Sequence, residues 1–473
     1  MSEEIIPLAK VLARYAKAAN IKKIPRARKL RLLWCLADYI ACTVAASDLK
    51  EANTAFVLST TGSVKIPGLE QYSFSRQGAA IAAGSLGSLL QLHDGYGNGG
   101  NHPSSVLIPS LIAATGGRGL TSVKSINALG IGYEICNRLA AFTHPQQSFL
   151  GSAPTSTMGS IGAAITAGLC FGLNVEKLAE AVSIAAFFAP IATFEALKVR
   201  GSAVPLHSGI AARTGIEAAQ LAFKGFSGGP TVLEGRPNHP GLLDFLGSGN
   251  KSVKAELKPK NNQQYFNTNN WKFKTIDQVY FKPFPGCRHI QPAVEALIAA
   301  HRKSRAKPQD ILSIKCYTYP LALAFANQPK KNHELYDKLM SIPWGLASVI
   351  LEGKPSVQTL KKRRNSSFLS LYDKIFVGAS EKYTDLYPDK LGAMVEITLK
   401  NRNTFIGECA LNYGGKNIRK SYTPAGGTIK PLQETDMAGR FLDLTAPVIG
   451  QKSANKLLRK FNPNKSSLIK TSK

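Results

Sequence analysis

A polar, glycine-dense segment, residues 91–105, holds two histidines and a carboxylate within ten residues. His93 and Asp94 are adjacent, and His102 follows in a His-Pro-Ser sequence. Histidine suits general acid and base chemistry because its unperturbed pKa is about 6.5. These residues predict proton transfer at this segment. The alternative is a plain connection between helices that happens to carry histidines.

The residues on either side predict how this segment is presented. Four glycines lie between residues 95 and 100, and glycines continue a helix only at a cost in backbone entropy. The flanking runs 80–90 and 106–115 are apolar and helix-like. We therefore expect a loop held between two rigid helices, a position from which reactive side chains are commonly presented.

The composition is that of a soluble globular protein whose positive charge favours acidic partners. The 473 residues are 44% hydrophobic, and 59 Lys and Arg against 30 Asp and Glu give a net charge of +29. This charge favours acidic partners. The basic runs lack interleaved aromatic residues, which argues against nucleic acid. No apolar stretch is long enough to span a bilayer. We expect neither nucleic acid nor a membrane as a partner, and a polycarboxylate or phosphate substrate stays open.

The cysteine pattern favours a reducing compartment. The seven cysteines are scattered and form no CxxC pair, so we expect no disulfide framework and no zinc site. The acidic amino terminus is unlike a secretory signal. We therefore expect a cytoplasmic protein.

Hydrophobic periodicity predicts a helical first half. Apolar residues recur at helical spacing in segments 7–46, 81–92, 106–114, 122–139, 159–172 and 175–188. Beyond a polar connector at 250–270, alternating patterns predict strands at 277–281, 311–319, 394–399 and 405–410, the last two forming a hairpin. Further helices are predicted at 290–304, 342–351, 437–444 and 454–461.

These elements predict a mainly α protein with a smaller α+β module. The predicted divisions are a helical domain at 1–265, an α+β domain at 266–415, a return to the helical domain at 416–460, and a disordered basic tail at 461–473.

Six weak motifs follow one another along the chain. They are His-Pro-Ser at 102–104, Gly-Tyr-Glu at 132–134, Ala-Pro-Thr at 153–155, Pro-Leu-His-Ser-Gly at 205–209, the glycines at 225 and 228, and Lys-Pro-Phe-Pro-Gly-Cys-Arg-His at 282–289. In this order and spacing they resemble the MmgE/PrpD family of 2-methylcitrate dehydratases and cis-aconitate decarboxylases, from about residue 8 to about residue 453.

The resemblance implies a large all-helical domain built from both chain ends and a smaller α+β lid. It also implies a homodimer, an active site in the cleft between the domains, and small di- or tricarboxylate substrates. Neither a metal nor an organic cofactor is implied.

The resemblance also implies roles for individual residues. His102 matches the family's general acid/base, Asp94 an aspartate that orients or assists it, and Lys282 a lysine that holds carboxylate together with Arg288. The further candidates for substrate binding are His93, Tyr96, His207, Cys287 and His289. For His207 and Cys287 a structural role is the favoured alternative, and Tyr96 is a candidate to replace a missing threonine.

Several positions depart from the family pattern. Gln91, Gly95, Val204 and Phe325 stand where the family has aspartate, threonine, lysine and tyrosine, and Ala153 replaces a histidine. Loss of a charge at Val204 removes a charge-assisted contact, and Phe325 has no hydroxyl to donate. These changes predict a more apolar pocket.

The resulting hypothesis is a cofactor-independent, dehydratase-type lyase that acts on a citrate-like or alkylcitrate-like polycarboxylate, in specialised metabolism. Two alternatives stay open: an isomerase or cyclase on the same scaffold, and a pseudoenzyme that binds a carboxylate or a partner protein.

Overall fold

The computed structural model describes residues 6–247, 268–327, 334–362, 365–387, 390–412, 434–463 and 466–470. The predicted connector at 250–270 lies almost entirely outside the described residues. We call the described residues 6–247 and 434–470 the helical module, and residues 268–412 the α+β module.

Helices dominate the described chain. The helices before residue 248 are α1 (Leu8–Ala18), α2 (Arg26–Ala46), α3 (Asn53–Phe56), α4 (Arg76–Leu89), α5 (Ser104–Thr115), α6 (Val123–Thr143), α7 (Gln146–Phe149), α8 (Pro154–Phe171), α9 (Val175–Phe187), α10 (Phe194–Lys198), α11 (Leu206–Phe223) and α12 (Leu242–Gly247). The later ones are α13 (Gln291–Ser304), α14 (Pro320–Ala326), α15 (Leu335–Leu339), α16 (Ile342–Glu352), α17 (Val357–Lys361), α18 (Ser366–Tyr372), α19 (Glu381–Leu386), α20 (Glu434–Ile449), α21 (Gln451–Phe461) and α22 (Ser467–Lys470).

The helical module packs around α8, which contacts α5, α6, α9 and α11. Its helices begin at polar caps: the side chains of Ser75, Ser122 and Asn174 accept backbone N–H bonds at the starts of α4, α6 and α9, which satisfies donors that the first turn leaves unpaired. Small residues allow close packing. A Cβ at Gly84 of α4 would lie 2.5 Å from Cα of Gly209 of α11, so this crossing requires glycine.

The α+β module contains a four-stranded sheet in the order β6-β5-β7-β8. The described strands are β1 (Gly95–Tyr96), β2 (Gly235–Arg236), β3 (His239–Pro240), β4 (Val279–Tyr280), β5 (Ile311–Thr318), β6 (Ile375–Ala379), β7 (Lys390–Leu399) and β8 (Thr404–Asn412). β5 pairs in parallel with β6 and antiparallel with β7. Helix α13 packs across β7 and β8.

The predicted fold class, mainly α with a smaller α+β part, is confirmed. β7 and β8 form the predicted hairpin, with Thr398 opposite Thr404. The strand predicted at 277–281 is only two residues long, because a 3-10 turn occupies Lys274–Gln278. Strand β6 was not predicted, since its five residues show no clear alternation.

The carboxyl-terminal helices pack back on the first ones. Helix α20 contacts α2, and Arg440 of α20 pairs with Asp38 of α2 at 2.6 Å. The prediction of disorder for the whole of 461–473 is wrong in part, because α22 lies there and its Leu468 and Ile469 are buried. The lysine-rich composition of residues 461–473 predicted disorder, although the segment also contains the large apolar residues Phe461, Leu468 and Ile469.

Among the residues that the structure describes, no single helix has both the length and the apolar character to cross a bilayer. The bent pair Arg26–Ala46 and Lys50–Phe56 meets these criteria only when joined across a bend of 106°.

Glu295 of α13 makes stability depend on pH. It is 1% exposed, and neither carboxylate oxygen has a hydrogen-bond partner among the described residues. Burial raises its pKa from 4.5 to about 8. Between pH 4.5 and about 8 the folded protein retains a proton on Glu295 that the unfolded chain releases, so the contribution of Glu295 to the free energy of unfolding is greatest below pH 4.5 and is lost as the pH rises to about 8. Within this interval that contribution should fall by about 1.4 kcal/mol per pH unit.

The measurement is urea unfolding of wild type and Glu295→Gln between pH 5 and 8. We expect the variant to lack this decline. Glu381→Gln, at an exposed position of α19, is the control and should keep the wild-type slope. Equal slopes for wild type and Glu295→Gln would contradict the assignment.

Candidate active site

A cavity lies where the two modules meet. The helical module contributes Gln91, His93, Gly100, His102, His144, Ser148, Ala153, Thr155, Phe194, Leu197 and His207, and the α+β module contributes Cys287, Arg288, His289, Leu321, Phe325, Met340 and Tyr387. Six of the nine predicted site residues therefore line one cavity, although the chain separates them by up to 196 positions (289 − 93 = 196).

Backbone pairing holds residues 91–105, which we call the histidine loop, against the α+β module. β1 pairs antiparallel with β4, so Gly95 lies opposite Tyr280. Gly100 has φ +58, and a Cβ there would lie 2.7 Å from Nδ1 of His144. Glycine is therefore required at residue 100, both for the left-handed backbone and for the close approach of His144.

His102 is positioned as a base. Its Nδ1 lies 2.7 Å from the backbone oxygen of Asp94. A carbonyl oxygen only accepts hydrogen bonds, so Nδ1 carries the proton, and Nε2 of the neutral ring keeps its lone pair. Burial, followed by the charge of Lys282, holds the pKa of His102 well below 6.5. The ring is therefore neutral and ready to accept a proton at neutral pH.

Asp94 acts on His102 through its backbone, not its carboxylate. Its Oδ1 accepts from the backbone N–H of Ser104 at 3.1 Å, and its Oδ2 accepts from the Tyr133 hydroxyl at 2.8 Å. The carboxylate thus caps the start of α5. Burial raises its pKa to about 6, and the side chain does not line the cavity.

Lys282 is fully buried next to the backbone of Gln91. Its Nζ donates to the backbone oxygen of Gln91 at 2.7 Å, and burial lowers its pKa to about 8. Lys282 does not line the cavity. Its charge instead contributes to the low pKa values of His93 and His102, which differs from the predicted role as a carboxylate clamp.

The other cavity histidines are also held neutral. Burial lowers the pKa of His144 and of His207 to about 4, and it lowers those of His93 and His289 well below 6.5. His207 Nδ1 lies 2.8 Å from the Ser156 hydroxyl. His93 Nδ1 has no hydrogen-bond partner among the described residues, although the residue is 2% exposed, so it remains available to a ligand.

Among the described residues, Arg288 is the one Lys or Arg in the cavity lining. Its guanidinium stays protonated at all physiological pH values and binds carboxylates bidentately. It precedes His289, whose Nδ1 lies 2.6 Å from the Tyr319 hydroxyl. Arg288 lines the cavity, and its pairing with a carboxylate stays a prediction.

Four large apolar residues, which we call the apolar wall, also line the cavity: Leu197, Leu321, Phe325 and Met340. The Phe325 ring stacks on His289 at 5.5 Å and meets Phe194 edge-on at 5.4 Å. Val204 is buried outside the lining. The cavity lining thus combines one permanent cation, Arg288, with the apolar wall.

Three predicted site residues, Asp94, Lys282 and Tyr96, do not line the cavity, and two of its titratable residues were not predicted. Tyr96 is 4% exposed and does not line the cavity, because the loop turns its ring toward the helical core. His144 and Tyr387 line the cavity but were not predicted. A second His-Pro pair at 144–145 was the available signal for His144. No sequence motif marks Tyr387.

Comparison with known families identifies the relationship. The chain matches the MmgE/PrpD N-terminal domain over residues 10–254 and the MmgE/PrpD C-terminal domain over residues 284–460. It belongs to the MmgE/PrpD family. The two matched domains bracket the cavity, since His93, His102, His144 and His207 fall in the first and Arg288 in the second.

Similar MmgE/PrpD proteins include two named cis-aconitate decarboxylase. The Mus musculus protein is 26% identical over 358 residues, which are 72% of this chain and 66% of that protein. The Homo sapiens protein is 32% identical over 138 residues, 28% of each chain. This chain therefore spans less than two thirds of either relative's length.

Proposed function

We propose that this protein is a cofactor-independent lyase of the dehydratase type that acts on an alkylcitrate-like carboxylate. The observation that carries the proposal is the hydrogen bond from His102 Nδ1 to the Asp94 carbonyl oxygen, which leaves an unprotonated Nε2 on a ring of the cavity. Dehydration beside a carboxylate needs such a base for the carbon-bound proton.

The rest of the lining supports an alkyl-bearing substrate. Arg288 offers one carboxylate a charge-assisted pair, and His93 offers a ring nitrogen without a partner among the described residues. The apolar wall favours a hydrocarbon group. We expect such a substrate, with both a carboxylate and a hydrocarbon group, in specialised metabolism.

The test is mass spectrometry of reactions with citrate, 2-methylcitrate, longer alkylcitrates and cis-aconitate. We expect loss of water from an alkylcitrate, faster than from citrate because the longer chain contacts the apolar wall. Loss of carbon dioxide alone would contradict the dehydratase and indicate a decarboxylase. An unchanged mass with a new chromatographic species would favour an isomerase or cyclase. No turnover would favour a carboxylate-binding pseudoenzyme.

The thiols support a cytoplasmic location as part of this proposal. All seven cysteines are free, and six of them are buried. Unpaired thiols are typical of reducing compartments.

The proposal includes a homodimer formed through the face around the end of α9. Five phenylalanines of this region are more than half exposed, namely Phe187, Phe188, Phe223, Phe226 and Phe245. Two open grooves adjoin there, one lined by Phe187 and Phe245 and the other by Phe188. Monomers rarely expose this much clustered apolar surface, and a second copy of the chain would cover it.

Light scattering after size-exclusion chromatography tests the dimer. We expect the wild type at twice the chain mass and Phe187→Ser/Phe245→Ser at the chain mass, because two apolar anchors become polar. Phe376→Ser, at a residue of β6 that is 56% exposed, is the control and should remain dimeric. A monomeric wild type, or a double variant that stays dimeric, would contradict the assignment of this face.

A further inference from the structure

The lining of the cavity contains one phenol, that of Tyr387, among the described residues. Tyr387 follows α19, and its backbone N–H donates to the Thr384 oxygen at 3.1 Å. Its ring stacks on that of Tyr319 at 5.0 Å, with 16° between the planes. These two contacts fix the position of the Tyr387 ring, and neither involves its hydroxyl group.

A dehydratase needs an acid as well as a base, because hydroxide is a poor leaving group. The cavity histidines are unsuited to this task, since burial lowers their pKa values and leaves little imidazolium at neutral pH. The Cys287 thiol is a weak hydrogen-bond donor, and burial raises its pKa. The serine and threonine hydroxyls of the lining are much weaker acids than a phenol.

Arg288 places a permanent positive charge in the same cavity as Tyr387. Arg288 interacts electrostatically with Tyr387, Tyr319 and Tyr280. A guanidinium can form a charge-assisted hydrogen bond with the phenolate that proton transfer leaves. Phe325, at the position where the family has tyrosine, offers no hydroxyl. Tyr387 reaches the same cavity from a different element.

We propose that Tyr387 is the general acid that protonates the leaving hydroxyl while His102 removes the carbon-bound proton, an inference that rests on the proposed dehydratase function. The C–H electron pair becomes the C=C bond, and the C–O bond breaks with its electron pair on oxygen. The Tyr387 proton converts that oxygen to water. The His102 imidazolium and the Tyr387 phenolate then exchange a proton through solvent, which restores both groups.

Tyr387→Phe keeps the ring and its stacking on Tyr319, so the fold should be retained. On the alkylcitrate that the wild type dehydrates fastest, we expect kcat to fall about 10²-fold with KM changed by less than about threefold. A substrate analogue with fluorine in place of the leaving hydroxyl needs less proton donation, because fluoride is a far better leaving group than hydroxide. We expect the variant to eliminate fluoride within about threefold of the wild-type rate.

Tyr317→Phe is the matched control, since Tyr317 lies on β5, packs against Phe376 and does not line the cavity. It should retain wild-type rates on both compounds. If Tyr387→Phe slows both compounds equally, or neither, the role of Tyr387 is overturned while His102-dependent turnover of the wild type upholds the dehydratase. If the wild type dehydrates no alkylcitrate, the proposed function fails and the role of Tyr387 fails with it.

Discussion

Replacing His102 by alanine should lower kcat/KM by at least about 10³-fold, near the upper part of the range for loss of a general base. The change removes the imidazole and leaves the local backbone contacts in place. The His102 N–H still donates to the Thr155 hydroxyl oxygen, and the His102 carbonyl oxygen still accepts from Ser105. Unfolding midpoints should therefore differ little. The measurement is product formation from the best alkylcitrate, together with thermal unfolding.

His301→Ala is the control for this variant. His301 lies near the end of α13, where its Nε2 is 3.0 Å from the Ala306 oxygen, and it does not line the cavity. It should keep wild-type activity. A His102→Ala protein that turns over at more than about a tenth of the wild-type rate would remove His102 from the mechanism.

The pH profile of the wild type provides a second test of the same assignment. Burial and Lys282 hold the pKa of His102 well below 6.5, so the base stays unprotonated as the pH falls through 6.5. The acid limb of kcat/KM should accordingly begin only well below pH 6.5, where His102 is protonated. An acid limb at an unperturbed histidine pKa, about 6.5, would contradict the burial-based account.

Arg440→Met should destabilise the protein by about 3–5 kcal/mol, the usual cost of leaving a buried charge without its partner. Asp38 is 2% exposed in its side chain, and Arg440 Nε lies 2.6 Å from its Oδ1. Arg440 also donates to the backbone oxygens of Lys282 and Leu92 at 2.8 and 3.4 Å. One guanidinium therefore joins α20 to α2 and to the backbone of Leu92 and Lys282. Urea unfolding measures the loss.

Two variants distinguish a buried charge from a general loss of packing. Asp38→Leu/Arg440→Met removes both charges and should recover most of the lost stability. Lys361→Met breaks the ion pair with Asp48, whose side chain is 51% exposed, and should cost about 0–1 kcal/mol. A cost for Arg440→Met as small as that for Lys361→Met would show that the buried pair does not anchor the carboxyl-terminal helices.

Local patterns were sufficient to predict most regular elements. The β7–β8 hairpin was predicted because two alternating segments flank a short polar turn, and both the pattern and the pairing are local. Strand β4 was predicted over 277–281 but is only two residues long, and the buried end of the tail at Leu468 was not predicted. In each case a distant partner decides the structure: β1 pairs with β4, and α2 packs against α22.

The candidate site was only partly predictable for the same reason. His102 and Arg288 sit in the motifs that carry the family resemblance, so the resemblance implied their roles, and both line the cavity. Lys282 and Asp94 sit in motifs as well, yet their side chains point into the protein, where one supplies a charge behind the histidines and the other caps α5. A motif fixes the position of a residue in the chain, and packing fixes the direction in which its side chain points.

The order and spacing of residues were enough to indicate the family, the helical fold class and the histidine loop, because these features depend on local motifs and periodicity. Packing between distant segments determines which groups share the cavity, which histidines are neutral, and that Tyr387 lines the same cavity as His102. Burial and long-range contacts set pKa values and side-chain directions, and both arise when segments that lie almost 300 residues apart (387 − 102 = 285) pack together.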